Sequence, residues 1–237
     1  MKKSITLFIF VLALLPAYNQ IIKTPQIKAP GVKWESIYVF DKSNSFKVDF
    51  YAKNNELMRS LNYKTYFQAK GEDFSVKMLS EKGNGVETVF DKKNEVAIQI
   101  WGSGGNTKPY YNAGGFKYPT DTELKKLEIV PTNESKLILG YKCRKFTYTY
   151  KKIFGEVWIT DQVNLSNDYG IFRAAKMAAL HNTLSMSGFV MEMTTEDAKG
   201  GKTVMQTTSL NNSEKYSISF DGVDMNTAIN KVNYFSF

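Results

Sequence analysis

The chain has 237 residues, a formal charge of +8 and a single cysteine, Cys143. That length suits one domain with a sizeable core, and one cysteine excludes an internal disulfide, so the fold stands on packing. Lys and Arg are scattered, in clusters no longer than pairs such as Lys92-Lys93, Lys125-Lys126 and Lys151-Lys152. This argues against a nucleic-acid interface and leaves attraction to anionic lipid head groups or envelope polymers as the consequence of the charge.

Lys2 and Lys3 precede an apolar run from Ile5 to Leu15, broken only by Thr6, and Pro16-Ala17 follows. A basic start, a short apolar core and a small-residue exit are the layout of a secretory signal. The run is shorter than the roughly 20 residues a bilayer span needs. Cleavage is expected before Gln20, giving a signal peptide over 1–19 and a single domain over 20–237. No cysteine stands near the exit to carry a lipid anchor, so a soluble periplasmic protein is expected, with outer-membrane association or secretion as variants.

The following chain alternates short β-rich runs with turn clusters, the pattern of an antiparallel sheet protein. Trp34–Asp41 and Ser45–Lys53 read as strands around a Lys42-Ser43-Asn44 turn. In the second, Phe46, Val48 and Phe50 share one face, as in a half-buried strand. Asn62–Lys70, Asp73–Ser80, Val86–Asp91 and Glu95–Trp101 continue the meander, with Asn84-Gly85 as a hairpin signal. Gly102–Asp121, rich in Gly, Pro and Tyr, reads as a long surface loop. Its glycines make a poor phosphate cradle, because no Gly-Lys-Ser/Thr follows and no helix pattern supplies a dipole.

Tyr141–Tyr150 and Glu156–Asp161 form a predicted hairpin around Lys151–Gly155. Phe146, Tyr148 and Tyr150 share one face of the first strand, and Cys143 falls with Lys145, Thr147 and Thr149 on the other. Asn167 or Asp168 is expected to cap a helix reaching Gly188, with Ile171, Ala174, Ala175 and Ala178 at helical spacing, widened by Met177, Leu180 and Leu184. A last hairpin runs from Phe189 through an Asp197–Gly201 turn to Lys202–Leu210, and Lys215–Gly222 holds a final short strand.

"LGYKCRKF", a strand ending "VWITD", a helix, "GFVMEM" and "KTVMQTTSL" together resemble domain of unknown function 4412, a family of exported bacterial envelope proteins. The likeness runs from about Leu137 to Phe220. Such proteins are similar to the lipoprotein-carrier fold, and the resemblance implies an open antiparallel β half-barrel with a helix packed on its concave side. It also implies an apolar or acyl-chain site between sheet and helix. The expected class is therefore mainly β, α+β in detail.

Chemistry is sparse. Cys143 has no partner base within its own element, and His181 is the one histidine, so a packed thiol outweighs a reactive one. The same count gives no metal set, and no cofactor is expected. Glu196-Asp197 sits in a turn and reads as solvated. The expected ligand-binding residues are Trp158, Ile171, Phe172, Ala175, Met177, Ala178, Met191 and Met193, since methionine walls adapt to varied apolar guests. The reading is a non-enzymatic envelope carrier or binding module for an apolar or lipid-like ligand, in contact with a membrane surface or an envelope protein and not with nucleic acid. A structural or protein-interaction subunit without a cavity is the alternative, and an exported hydrolase the third.

Overall fold

The computed structural model describes residues 31–68, 70–80, 85–103, 108–117, 125–163, 188–227 and 232–233. Fifteen strands are found among these residues: β1 (Ile37–Phe40), β2 (Lys42–Tyr51), β3 (Leu57–Phe67), β4 (Phe74–Leu79), β5 (Gly85–Asp91), β6 (Val96–Ser103), β7 (Tyr110–Lys117), β8 (Leu127–Ile138), β9 (Tyr141–Tyr150), β10 (Ile153–Thr160), β11 (Phe189–Asp197), β12 (Lys202–Asn211), β13 (Tyr216–Ser219), β14 (Met225–Thr227) and β15 (Val232–Asn233).

Thirteen of them form one sheet, ordered β14-β7-β6-β5-β4-β3-β2-β12-β11-β10-β9-β8, with β15 also on β7. The ends do not meet, so the sheet is open. Two meanders build it. β2 to β7 step outward from the centre, and β8 to β12 step inward from the far edge until β12 pairs β2. Every pairing is antiparallel except those of β14 and β15, which run parallel to β7.

The turns are locally encoded. β8 and β9 join through Leu139 (φ 51°) and Gly140 (φ 83°), the two left-handed positions of a type I′ hairpin. Between β11 and β12, the Asp197 carboxylate accepts from the backbone N–H of Lys199 (2.7 Å) and Gly201 (3.0 Å). β8 is an edge strand, and Pro131 and a register shift between Pro131 and Ser135 interrupt it. Such irregularity blunts pairing with another chain.

Side chains alternate across this sheet and feed two cores. Phe46, Val48, Phe67, Phe74, Phe90, Val157, Met193 and Met205 belong to one. Tyr66, Val89, Ile98, Ile100 and Ala113 belong to the other, together with Tyr38, Phe40 and Ile218 from a separate two-stranded sheet, β1 with β13, and Phe220 just after β13. Tyr66 and Tyr216 stack with centroids 3.9 Å apart, and the Tyr216 hydroxyl donates to the buried Glu87 carboxylate (2.8 Å), which also accepts from Ser75 Oγ (2.6 Å).

Mainly β is therefore right, and the helix packed on a concave side is not. The described residues are strands, turns and connecting segments, with no helix among them, and the layer lying on the sheet is the β1–β13 strand pair. The helix expected from Asn167 to Gly188 falls, Gly188 apart, outside the described residues, as does the expected signal peptide over 1–19. Two local readings are also corrected. Lys42-Ser43-Asn44 is no turn but the start of β2, because β1 leaves for β13 at Asp41 instead of folding back. The expected Gly/Tyr surface loop contains β7, whose small residues Ala113 and Gly114 are buried against β6.

Candidate functional site

Of the residues expected to bind ligand, Ile171, Phe172, Ala175, Met177 and Ala178 lie outside the described residues. Met191 and Met193 are buried. Met193 sits opposite Met205 on β12 and Val157 on β10. Trp158 is also buried, but it pairs with Glu192, and alternation sends it to the opposite face from Val157 and Met193. A register shift after Trp158 brings Val190, not Met191, opposite Ile159.

Trp158 instead carries a lattice of charge. Lys136 Nζ lies 4.2 Å from its ring centroid and pairs with Glu192 at 2.7 Å. Lys145 Nζ lies 5.6 Å from the ring and pairs with Glu156 (2.8 Å) and Glu134 (3.1 Å). Both cations are thus committed to carboxylates and to the aromatic face, which suits a stabilising surface rather than a catalytic one.

Cys143 is on the Thr147 face by register, as expected, yet wholly buried. Its Sγ donates to the Tyr141 carbonyl at 3.4 Å. Burial pushes the thiol up, partly opposed by a backbone hydrogen bond at Ile138 and the Lys136 charge. A buried, protonated thiol is a poor nucleophile. His181 lies outside the described residues, and no metal-holding group of three His, Cys, Asp or Glu side chains exists among the described ones.

The arrangement with most chemical content lies on the Phe46 face of β2 to β7. Strand pairing aligns Asn44, Thr65, Val76, Thr88, Gln99 and Asn112 in one transverse row, and Asn226 of β14 extends it beside Asn112. Six strands at about 4.8 Å spacing give a lane of roughly 24 Å. Its polar members are deeply placed: Asn44 and Thr65 are 0% exposed, Thr88 2% and Gln99 8%. Asn112 is half-buried, so access increases toward β7.

Apolar rows flank this lane. On one side run Phe67, Phe74, Phe90, Ala97 and Gly114, each opposite the next, with Phe74 and Phe90 stacked at 4.6 Å. On the other run Phe46, Tyr63 and Met78, then Val86, Trp101 and Tyr110, with Phe46 and Tyr63 stacked at 5.1 Å. The face therefore offers hydrogen-bonding groups in a line between two aromatic margins, a composition typical of sites that take ligands with both apolar and polar parts.

At the buried end the hydrogen bonding is incomplete. Neither Nδ2 nor Oδ1 of Asn44 has a partner among the described residues, and the same holds for Thr207 Oγ1. Thr207 of β12 sits opposite Phe46, diagonal to Asn44 on the same face. A buried polar group left without a partner costs on the order of 1–3 kcal/mol, and such groups are uncommon in native proteins.

Sequence reasoning missed the lane. Its signal was one polar residue at an inward position of four of the strands, with Val76 of β4 between them: Asn44 before Phe46, Thr65 before Phe67, Thr88 before Phe90 and Gln99 after Ala97. Each alone is an ordinary interruption of alternation. Only the pairing register joins them.

No family model matches the chain, and no curated protein matches it in sequence. Among solved structures it is similar to PNGF-II in its C2 crystal form (16% identity, 79% of this chain and 31% of that one, TM-score 0.40). The P21 form of PNGF-II gives 17% identity, 82% and 32% coverage and a TM-score of 0.39. MucB in complex with MucA(peri) gives 10% identity, 73% and 50% coverage and a TM-score of 0.40. The chain thus spans about a third of the PNGF-II chains and half of the MucB chain.

Proposed function

We propose that this protein is a non-catalytic binding or carrier module for an apolar or lipid-like ligand, working in the periplasm or at the outer membrane. One observation carries the reading: a buried polar lane of Asn44, Thr65, Thr88 and Gln99 lies between two aromatic rows on a single sheet face. Apolar rows favour a hydrocarbon, and a line of amides and hydroxyls favours ester, amide or hydroxyl groups on the same molecule. The buried, protonated Cys143 and the fully paired lysines around Trp158 fit a role without covalent chemistry. The envelope setting rests on the basic, apolar and small-residue order at Lys2 to Ala17.

Native mass spectrometry of protein purified from its own envelope tests this. A co-purified lipid-sized adduct, released by organic solvent, is the expected result. A protein that carries no adduct, and takes up none when incubated with an extract of the same envelope, would remove the proposal.

A further inference from the structure

The lane ends at its most deeply buried point on Asn44 of β2, next to β12. Asn44 there is wholly buried with both side-chain polar atoms unpartnered among the described residues, and Thr207 Oγ1, diagonal to it, is in the same state. Together they present an N–H₂ donor, a carbonyl acceptor and a hydroxyl that serves as either. Phe46 and Val48 neighbour them on the same face of β2.

We infer that Asn44 and Thr207 form the head-group subsite of the ligand, and that this head is an uncharged group able both to donate and to accept hydrogen bonds, a hydroxyl or a primary or secondary amide. The inference rests on the binding reading above. Burial decides the charge: an ion taken from water into a site with 0% exposure at Asn44 loses far more hydration than two neutral partners restore. The unpartnered atoms decide the chemistry. A ligand ester supplies acceptors only and leaves Asn44 Oδ1 without a donor, whereas a hydroxyl or an amide N–H reaches it. The acyl portion then follows the aromatic rows toward β7, where Asn112 is half-buried.

The experiment is displacement of a dansyl-labelled fatty acyl probe from the full-length protein by dodecanamide, dodecanol, dodecyl sulfate and dodecane. The amide and the alcohol should displace at least about tenfold better than the sulfate or the hydrocarbon, equivalent to about 1.4 kcal/mol. Asn44→Leu and, separately, Thr207→Val should erase that preference while the probe still binds. Asn44→Leu should melt no lower than the parent, because an unpartnered amide has been removed from the interior. Equal displacement by all four compounds overturns the head-group subsite and leaves the binding reading standing. So does an Asn44→Leu variant that binds with the preference intact, or one that melts well below the parent. A parent protein that binds no probe at all overturns both.

Discussion

Tyr148 lies across Gly155. From β9 its ring passes over this residue of β10, and its hydroxyl meets Thr195 Oγ1 (2.7 Å) and donates to the Thr194 carbonyl (3.0 Å) on β11. Three strands are thereby tied by one side chain, and only a residue without a side chain fits beneath it. A Cβ at Gly155 would collide with the Thr194 carbonyl oxygen and stand 2.7 Å from the Tyr148 hydroxyl. Gly155→Ala should therefore destabilise by about 3 kcal/mol, the upper range for overpacking. Tyr148→Phe, which keeps the ring and drops the hydrogen bonds, should cost about 1 kcal/mol. Urea unfolding of the two variants checks the order.

Cys143 should behave as packing. Its thiol is held up by burial, so a thiol reagent in excess should label the native protein no faster than the protein opens, and fully only in denaturant. Cys143→Ala should cost on the order of 1 kcal/mol. Rapid labelling without denaturant would contradict the burial.

Glu214 should make the fold sensitive to acid. Its carboxylate accepts from Lys64 Nζ (2.9 Å), Ser43 Oγ (2.8 Å) and Asn211 Nδ2 (3.2 Å), and the Lys64 bond first, then that of Ser43, holds its carboxyl below the usual range. A carboxyl with a lowered folded value contributes stability that is present above its unfolded value, about 4.3. That contribution is lost as pH falls through the folded value. Glu214→Gln should lower the melting temperature at neutral pH, where the charged group contributes, and so flatten its decline below about pH 4.3. An identical acid slope in parent and variant would assign the acid sensitivity elsewhere.

How far the sequence discloses this molecule depends on the range of the interaction. β9 is readable residue for residue, Tyr141–Tyr150, because its alternation is local. β2 is misread at its start. Ser43 and Asn44 look like turn residues, yet Ser43 is held by Glu214, 171 positions away, and Asn44 by its pairing with Thr65. β7 is hidden in a glycine-rich composition because its small residues pack against β6. Trp158 and Met193 look like one wall, and the pairing of Trp158 with Glu192 separates them. The lane is invisible before registers are known, since a slip of one residue in any strand would turn its polar member to the other face.

The polar lane is the central claim, and one titration tests it most directly. A dansyl-labelled fatty acyl probe is titrated into the parent protein and into the Thr88→Val, Gln99→Leu double variant, with circular dichroism and melting temperature recorded for both. Saturable binding by the parent is expected, with a loss of at least about tenfold in affinity in the variant, about 1.4 kcal/mol, and the fold intact. No saturable binding by the parent, or the same affinity in a folded variant, would contradict it.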